Sequence, residues 1–174
     1  MLAKTFGAAV YGVNATMITV EVTVGQGQKF FLVGLPDSAV KESEQRVESA
    51  IKYIGYDFPR QKVVVNLAPA DIRKEGSAYD LPIALCVLQA SEQISPARSL
   101  EEYVIMGELS LDGGLLAVSG ALPAAMAAHA HGLGLICPKA SGVRRIVTLP
   151  PWCRRSVANP RATWSGSDAD RKAA

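Results

Sequence analysis

Between Ala15 and Val24 the chain alternates, with Met17, Thr19, Glu21 and Thr23 set against Ile18, Val20, Val22 and Val24. That period of two predicts a strand with one buried face, and Lys4–Val13 has the same valine- and threonine-bearing strand chemistry. Gly25-Gln26-Gly27 predicts a tight turn from which Gln28–Val33 returns as the next strand of a hairpin. Gly34-Leu35-Pro36 breaks that run, and Asp37 or Ser38 caps a helix whose Val40, Val47, Ile51 and Ile54 share one face. Glu42 with Arg46, and Glu48 with Lys52, form i,i+4 pairs on its wet side, and Gly55 ends it. The run Lys62–Leu67 predicts a strand buried on both faces. Leu81–Ala90 is apolar nearly all round, which predicts a deeply packed helix.

After a polar connection over Ser91–Leu100, Tyr103–Met106 and Leu115–Val118 read as short strands joined in a hairpin through the turn-rich Gly107–Gly114. Ser119 or Gly120 opens an alanine-rich helix through His131, Gly132 stops it, and Leu133–Cys137 is a last core strand. Strands first, then alternating helices and strands, predict an α/β (α+β) domain on a mixed sheet.

A chain of 174 residues with 49% hydrophobic and 20% charged content can bury one sizeable core, so one domain is the default. No run approaches the roughly 18 apolar residues of a spanning helix, so no membrane partner is expected. Cys86, Cys137 and Cys153 lie far apart, outside any close metal-binding or redox pair, which points to a reducing cytoplasm with Cys86 and Cys137 in the core. The net charge of +2 is unevenly placed. Residues 1–142 hold 11 basic and 14 acidic side chains, and the basic excess lies in residues 143–174.

Charge is densest between the predicted strand 62–67 and the helix that follows. There Asp71, Arg73, Lys74, Glu75, Ser77 and Asp80 crowd around Gly76. Three readings compete. Ser77 or Asp80 caps the next helix, with Pro82 where a missing N–H costs nothing. Ser77 is a nucleophile activated by a lysine. The loop presents charge to a partner.

Two further stretches carry a family resemblance. Met106-Gly-Glu-Leu-Ser-Leu-Asp-Gly-Gly-Leu-Leu-Ala-Val-Ser-Gly-Ala-Leu-Pro-Ala-Ala-Met-Ala-Ala-His129 with Leu135-Ile-Cys-Pro-Lys139 resembles the second half of the Lon proteolytic domain, and Lys74-Glu-Gly-Ser-Ala78 resembles its nucleophile segment. Phe6-Gly-Ala-Ala-Val-Tyr-Gly12, Val33-Gly-Leu-Pro-Asp37, Val40-Lys-Glu-Ser-Glu-Gln-Arg-Val47 and Asn66-Leu-Ala-Pro-Ala-Asp-Ile-Arg-Lys-Glu-Gly-Ser-Ala-Tyr-Asp-Leu-Pro82 resemble the amino-terminal domain of the ComM/YifB magnesium-chelatase-like ATPases. The resemblance covers residues 1–142. It implies a two-layer mixed sheet with helices on one side, similar to Lon proteolytic domains and to the ribosomal-protein domain 2 superfamily. It also implies an AAA+ module of the same protein as partner, a homo-oligomer in the full-length protein, and a role in DNA branch migration in competence, with DNA as a possible contact. ATP and Mg are implied for that module alone; this chain has no Walker-type loop, and no cofactor or metal is expected in it.

Carried over residue by residue, the resemblance sets Ala78 at the Lon nucleophile position and Leu122 at the position of its lysine base. A serine hydroxyl needs an adjacent base to attack at neutral pH, so this degenerate dyad predicts no catalysis; the fallback pair is Ser77 with Lys74. His129 and His131 are two apart on a helix and point to different faces, which rules out a shared metal. The expected function is thus a non-catalytic amino-terminal domain serving assembly or DNA engagement, with Asp71, Arg73, Lys74, Glu75 and Asp80 as contact residues and Arg73 and Lys74 foremost. Its alternatives are a Ser–Lys peptidase of the Lon type and a stand-alone phosphate or nucleic-acid binding domain. Residues 143–174 depart from the family pattern. They are expected to be a frameshifted or truncated reading or a cloning remnant without ordered structure, the alternative being a nucleic-acid-binding arm bearing arginines and Trp152 and Trp164.

Overall fold

In a computed structural model of the chain, residues 1–142 are described. Expectations about 143–174, including Cys153 and both tryptophans, lie outside them. The elements in chain order are β1 (Leu2–Tyr11), β2 (Asn14–Gly25), β3 (Phe30–Val33), α1 (Ser38–Lys41), α2 (Ser43–Tyr53), β4 (Lys62–Ala68), α3 (Asp80–Ala90), β5 (Tyr103–Ile105), β6 (Glu108–Leu109), β7 (Leu115–Leu116), α4 (Ala121–Ala130) and β8 (Gly134–Ile136). Six strands form one mixed sheet in the order β3-β4-β2-β1-β5-β8. The mixed α/β class read from the sequence is the one observed.

The strand β1 folds back on β2 over its whole length, from Leu2 opposite Thr23 to Tyr11 opposite Asn14. The even-numbered face of β2 (Ile18, Val20, Val22) then packs with Val63, Val65 and Leu67 of β4 and with Val47, Ile51, Ile83 and Val87 of α2 and α3 in the main core. This is where the outer hydrophobic positions of the helices go: α3, apolar all round, is buried at nearly every residue. Ala8, Val104 and Leu135 point to the other face, where Ala121, Ala124, Ala125 and Ala128 of α4 cover them in a second cluster. Helices therefore lie on both faces of the sheet, not on one as the resemblance implied. Cys86 and Cys137 are buried, as small apolar residues.

Several local readings are corrected by nonlocal contacts. The predicted hairpin of β2 with β3 does not form: β4 inserts between them, antiparallel to β2 and parallel to β3, with Phe31 opposite Val64. Two long strands share more ladder than a four-residue return strand offers. Within β4 burial alternates, because α2 and α3 cover only the Val63, Val65 and Leu67 face. The predicted single helix from Asp37 breaks into α1 and α2 at Glu42. In the second half, β5 joins the main sheet between β1 and β8, and the hairpin is made by β6 and β7.

Candidate functional site

The charged loop lies between β4 and α3, and its polar residues are sorted into an inner and an outer set. Lys74 extends the β3–α1 connection by one bridge: its N–H donates to the Leu35 carbonyl at 3.2 Å and its carbonyl accepts from Asp37 N–H at 3.0 Å. That pairing draws the side chain inward. Lys74 is 0% exposed, its Nζ donates to the Pro69 carbonyl, and burial lowers its pKa against the opposing pull of Asp71. Asp37 joins the neighbouring backbones, one oxygen accepting from Val40 N–H at 2.8 Å as the α1 cap and the other from Gly76 N–H at 3.3 Å.

Asp80 is also fully buried. Its carboxylate takes a two-pronged bond from Arg46 on α2, Nε at 2.6 Å and Nη2 at 2.9 Å, and accepts from Leu109 N–H at 3.2 Å. Burial pushes the carboxyl above its ordinary range, while these three donors pull it back. The bond to Asp80 raises the Arg46 pKa, so the guanidinium stays charged. Neither Asp80 nor Ser77 caps α3; the helix is preceded by Tyr79 without a side-chain cap, because both candidate caps are used elsewhere. The Ser77 hydroxyl donates to the Glu108 carboxylate on β6. Tyr79, buried, donates its hydroxyl to the Ala8 carbonyl at 3.2 Å, and burial raises its pKa.

The outer set is Asp71, Arg73 and Glu75, all exposed. Arg73 Nε lies 3.2 Å from Glu75, and the Arg73 carbonyl accepts from the Tyr11 hydroxyl at 2.6 Å. Of the five expected contact residues, Lys74 and Asp80 are thus inside, because each satisfies partners on other elements, and only Asp71, Arg73 and Glu75 face solvent. The fallback dyad does not assemble either, since Ser77 and Lys74 each donate to a different acceptor. At the degenerate dyad positions, Ala78 packs beside the second cluster and Leu122 is 64% exposed on α4.

Arg46 and Glu108 are partners that sequence reasoning missed. Arg46 had an apparent partner in Glu42, which it does approach at 3.7 Å, and that local pairing hid the distant one. Both lie inside the stretches that carried the family resemblance, which was the available signal. Among the described residues no group of three histidine, cysteine or acidic side chains is arranged to hold a metal, and no helix is long and apolar enough to cross a membrane.

The chain matches the family model described as subunit ChlI of Mg-chelatase over residues 20–141. It is 49% identical to YifB of Escherichia coli over 132 residues, covering 75% of this chain and 26% of the relative. It is 42% identical to the competence protein ComM of Haemophilus influenzae over 139 residues, covering 79% and 27%. A weaker similarity, 30% over 142 residues and covering 76% and 17%, links it to the Lon protease of Solibacter usitatus, in keeping with a Lon-like domain. The chain spans about a quarter of the length of the YifB and ComM relatives. Sequence motifs, fold and matches together make the chain a member of the ComM/YifB family of Mg-chelatase-like proteins.

Proposed function

We propose that this domain is the non-catalytic amino-terminal part of a Mg-chelatase-like AAA+ ATPase, supporting assembly of the machine or its engagement of DNA. The observation that carries the reading is the state of the protease-like site: alanine at the nucleophile position, an exposed leucine at the base position, and Ser77 and Lys74 each bonded to other groups. A hydroxyl that donates to a carboxylate beside an absent lysine lacks the base that acyl transfer by a Ser–Lys pair requires. ATP and Mg would be held by the ATPase module of the same polypeptide, outside these residues. The competence name of the ComM relative supports DNA processing as the setting, in a cytoplasmic homo-oligomer. Asp71, Arg73 and Glu75 are the residues of the central loop free to meet a partner.

Treatment of the chain with a fluorophosphonate probe, beside a Ser77→Ala control, tests the reading. No label on Ser77 and no casein hydrolysis are expected. Labelling that disappears in the control would restore the hydrolase alternative.

A further inference from the structure

Among the described residues, the second face of the sheet is only half covered. The α4 cluster takes residues from β1, β5, β8 and the start of β2, and none from β3 or β4. Strand register places two rows side by side on the uncovered half: Phe31, Val64, Thr23 and Leu2 in one, Val33, Asn66, Glu21 and Lys4 in the next. Phe31 is 42% exposed there, on the edge strand β3.

At the Phe31 end of this face two lysines come together, with an arginine close by in sequence. Lys62 pairs with Gly25 in the β2–β4 ladder, and the Lys29 carbonyl accepts from Val63 N–H at 2.9 Å, so Lys29 and Lys62 flank the same strand end, with Arg60 two residues away. The Lys62 ammonium lies 5.1 Å from the centre of the Phe31 ring. Lys29, Arg60 and Lys62 are exposed, and among the described residues none forms an ion pair. Residues 22–36 and 58–70, which supply this pole, contain no carboxylate, although residues 1–142 as a whole carry more acid than base. Glu21, the acid nearest along the sheet, sits in the second row and accepts from Asn66.

An unpaired cationic rim with a flat aromatic set in an open sheet fits a polyanion that also offers π faces. Cations track phosphates, and an exposed ring on a strand stacks on unpaired bases. We infer that the pole formed by Lys29, Phe31, Arg60 and Lys62 is a contact site for single-stranded nucleic acid. The inference rests on the DNA-engagement reading above but moves the contact away from the central loop. On binding, the Lys62 ammonium leaves the ring for a phosphate, and a base takes its place.

The test is fluorescence anisotropy of a labelled oligo-dT of about 20 nucleotides with the whole chain, between about 50 and 200 mM salt. The variants are Lys29→Gln/Arg60→Gln/Lys62→Gln, Phe31→Leu and Arg73→Gln. Residues 143–174 are the same in every variant, so their basic charge is a constant background. The triple variant should lose about tenfold or more in affinity at the low salt and about 2 units of salt slope, at roughly 0.7 per phosphate contact. Phe31→Leu, which keeps an apolar residue on the strand, should lose about fivefold or more with the slope unchanged. Binding by the triple variant equal to wild type would overturn the site. Dependence on Arg73 alone would overturn it while leaving DNA engagement to the central loop. Equal affinity for heparin and oligo-dT with no effect of Phe31→Leu would also overturn it, reducing the pole to a general polyanion surface.

Discussion

Lys74 shows how one residue can be charged in sequence and internal in structure. Its ammonium is held by a single backbone carbonyl, and burial lowers its pKa from the ordinary 10.5. The unfolded chain therefore binds the proton more tightly than the folded one. Folding stability from this group rises with pH as it passes from the lowered value toward 10.5, where both states lose the charge. Denaturant unfolding at neutral and alkaline pH should show wild type gaining on Lys74→Met as pH rises through that window. A difference that stays flat would mean that the folded amine titrates as it does in the unfolded chain. Asp80 bears on stability more directly. Asp80→Ala removes the two-pronged acceptor of the Arg46 guanidinium, which keeps only the Ala39 carbonyl and the more distant Glu42, leaves Leu109 N–H without its acceptor, and should cost about 3 kcal/mol in the same assay, the low end of the range for breaking one side of a buried pair. Both residues were legible as special from their setting between apolar elements. Their burial was not, since the donors to Asp80 lie on segments distant in sequence and the acceptor for Lys74 is reached only through the loop's own fold.

At the scale of elements, the parallel pairing of β3 with β4 depends on Gly34. Its φ is 102°, and a Cβ there would lie 2.0 Å from the Leu67 carbonyl oxygen, a main-chain atom that cannot swing aside. Gly34→Ala should destabilise the domain by about 2 to 3 kcal/mol through strain and separation of the two strands, read as a fall in urea midpoint. The α4 helix makes the opposite case. Its inner alanines are packed, while Leu122 and Met126 are each 64% exposed. Leu122→Glu should therefore change stability by no more than about 0.5 kcal/mol in this chain. A large loss would show that the side chain is packed in solution. Helix positions 81–90 and 121–130 were readable to within a residue or so because apolar content and glycine stops act locally. The β2–β3 hairpin was misread because a tight glycine turn between two strand-like runs is also the signature of a strand that leaves for a different neighbour.

For the molecule as a whole, the sheet order sets the hierarchy of stability. β2 has ladders on both sides and lies under both hydrophobic clusters, whereas β3 and β8 are edges. Native-state hydrogen exchange should place the amides of Ile18–Val22 among the slowest, opening only with global unfolding, and those of β3 and β8 among faster, local openings. Faster exchange in β2 than in β3 would contradict the common core. Most strand and helix segments, and the family through its long motifs, follow from the sequence alone, which also places Ala78 and Leu122 where the resemblance to Lon sets its catalytic pair. These are properties of single positions and of spacings within one element, so they survive without knowledge of neighbours. It takes the packed chain to show that β4 separates β2 from β3, that Lys74 and Asp80 turn inward while Arg73 stays out, and that among the described residues half of one sheet face is left open beside Lys29, Arg60 and Lys62. Each of these outcomes depends on which distant groups compete for the same ladder, acceptor or apolar surface. That competition is settled by packing the whole chain at once.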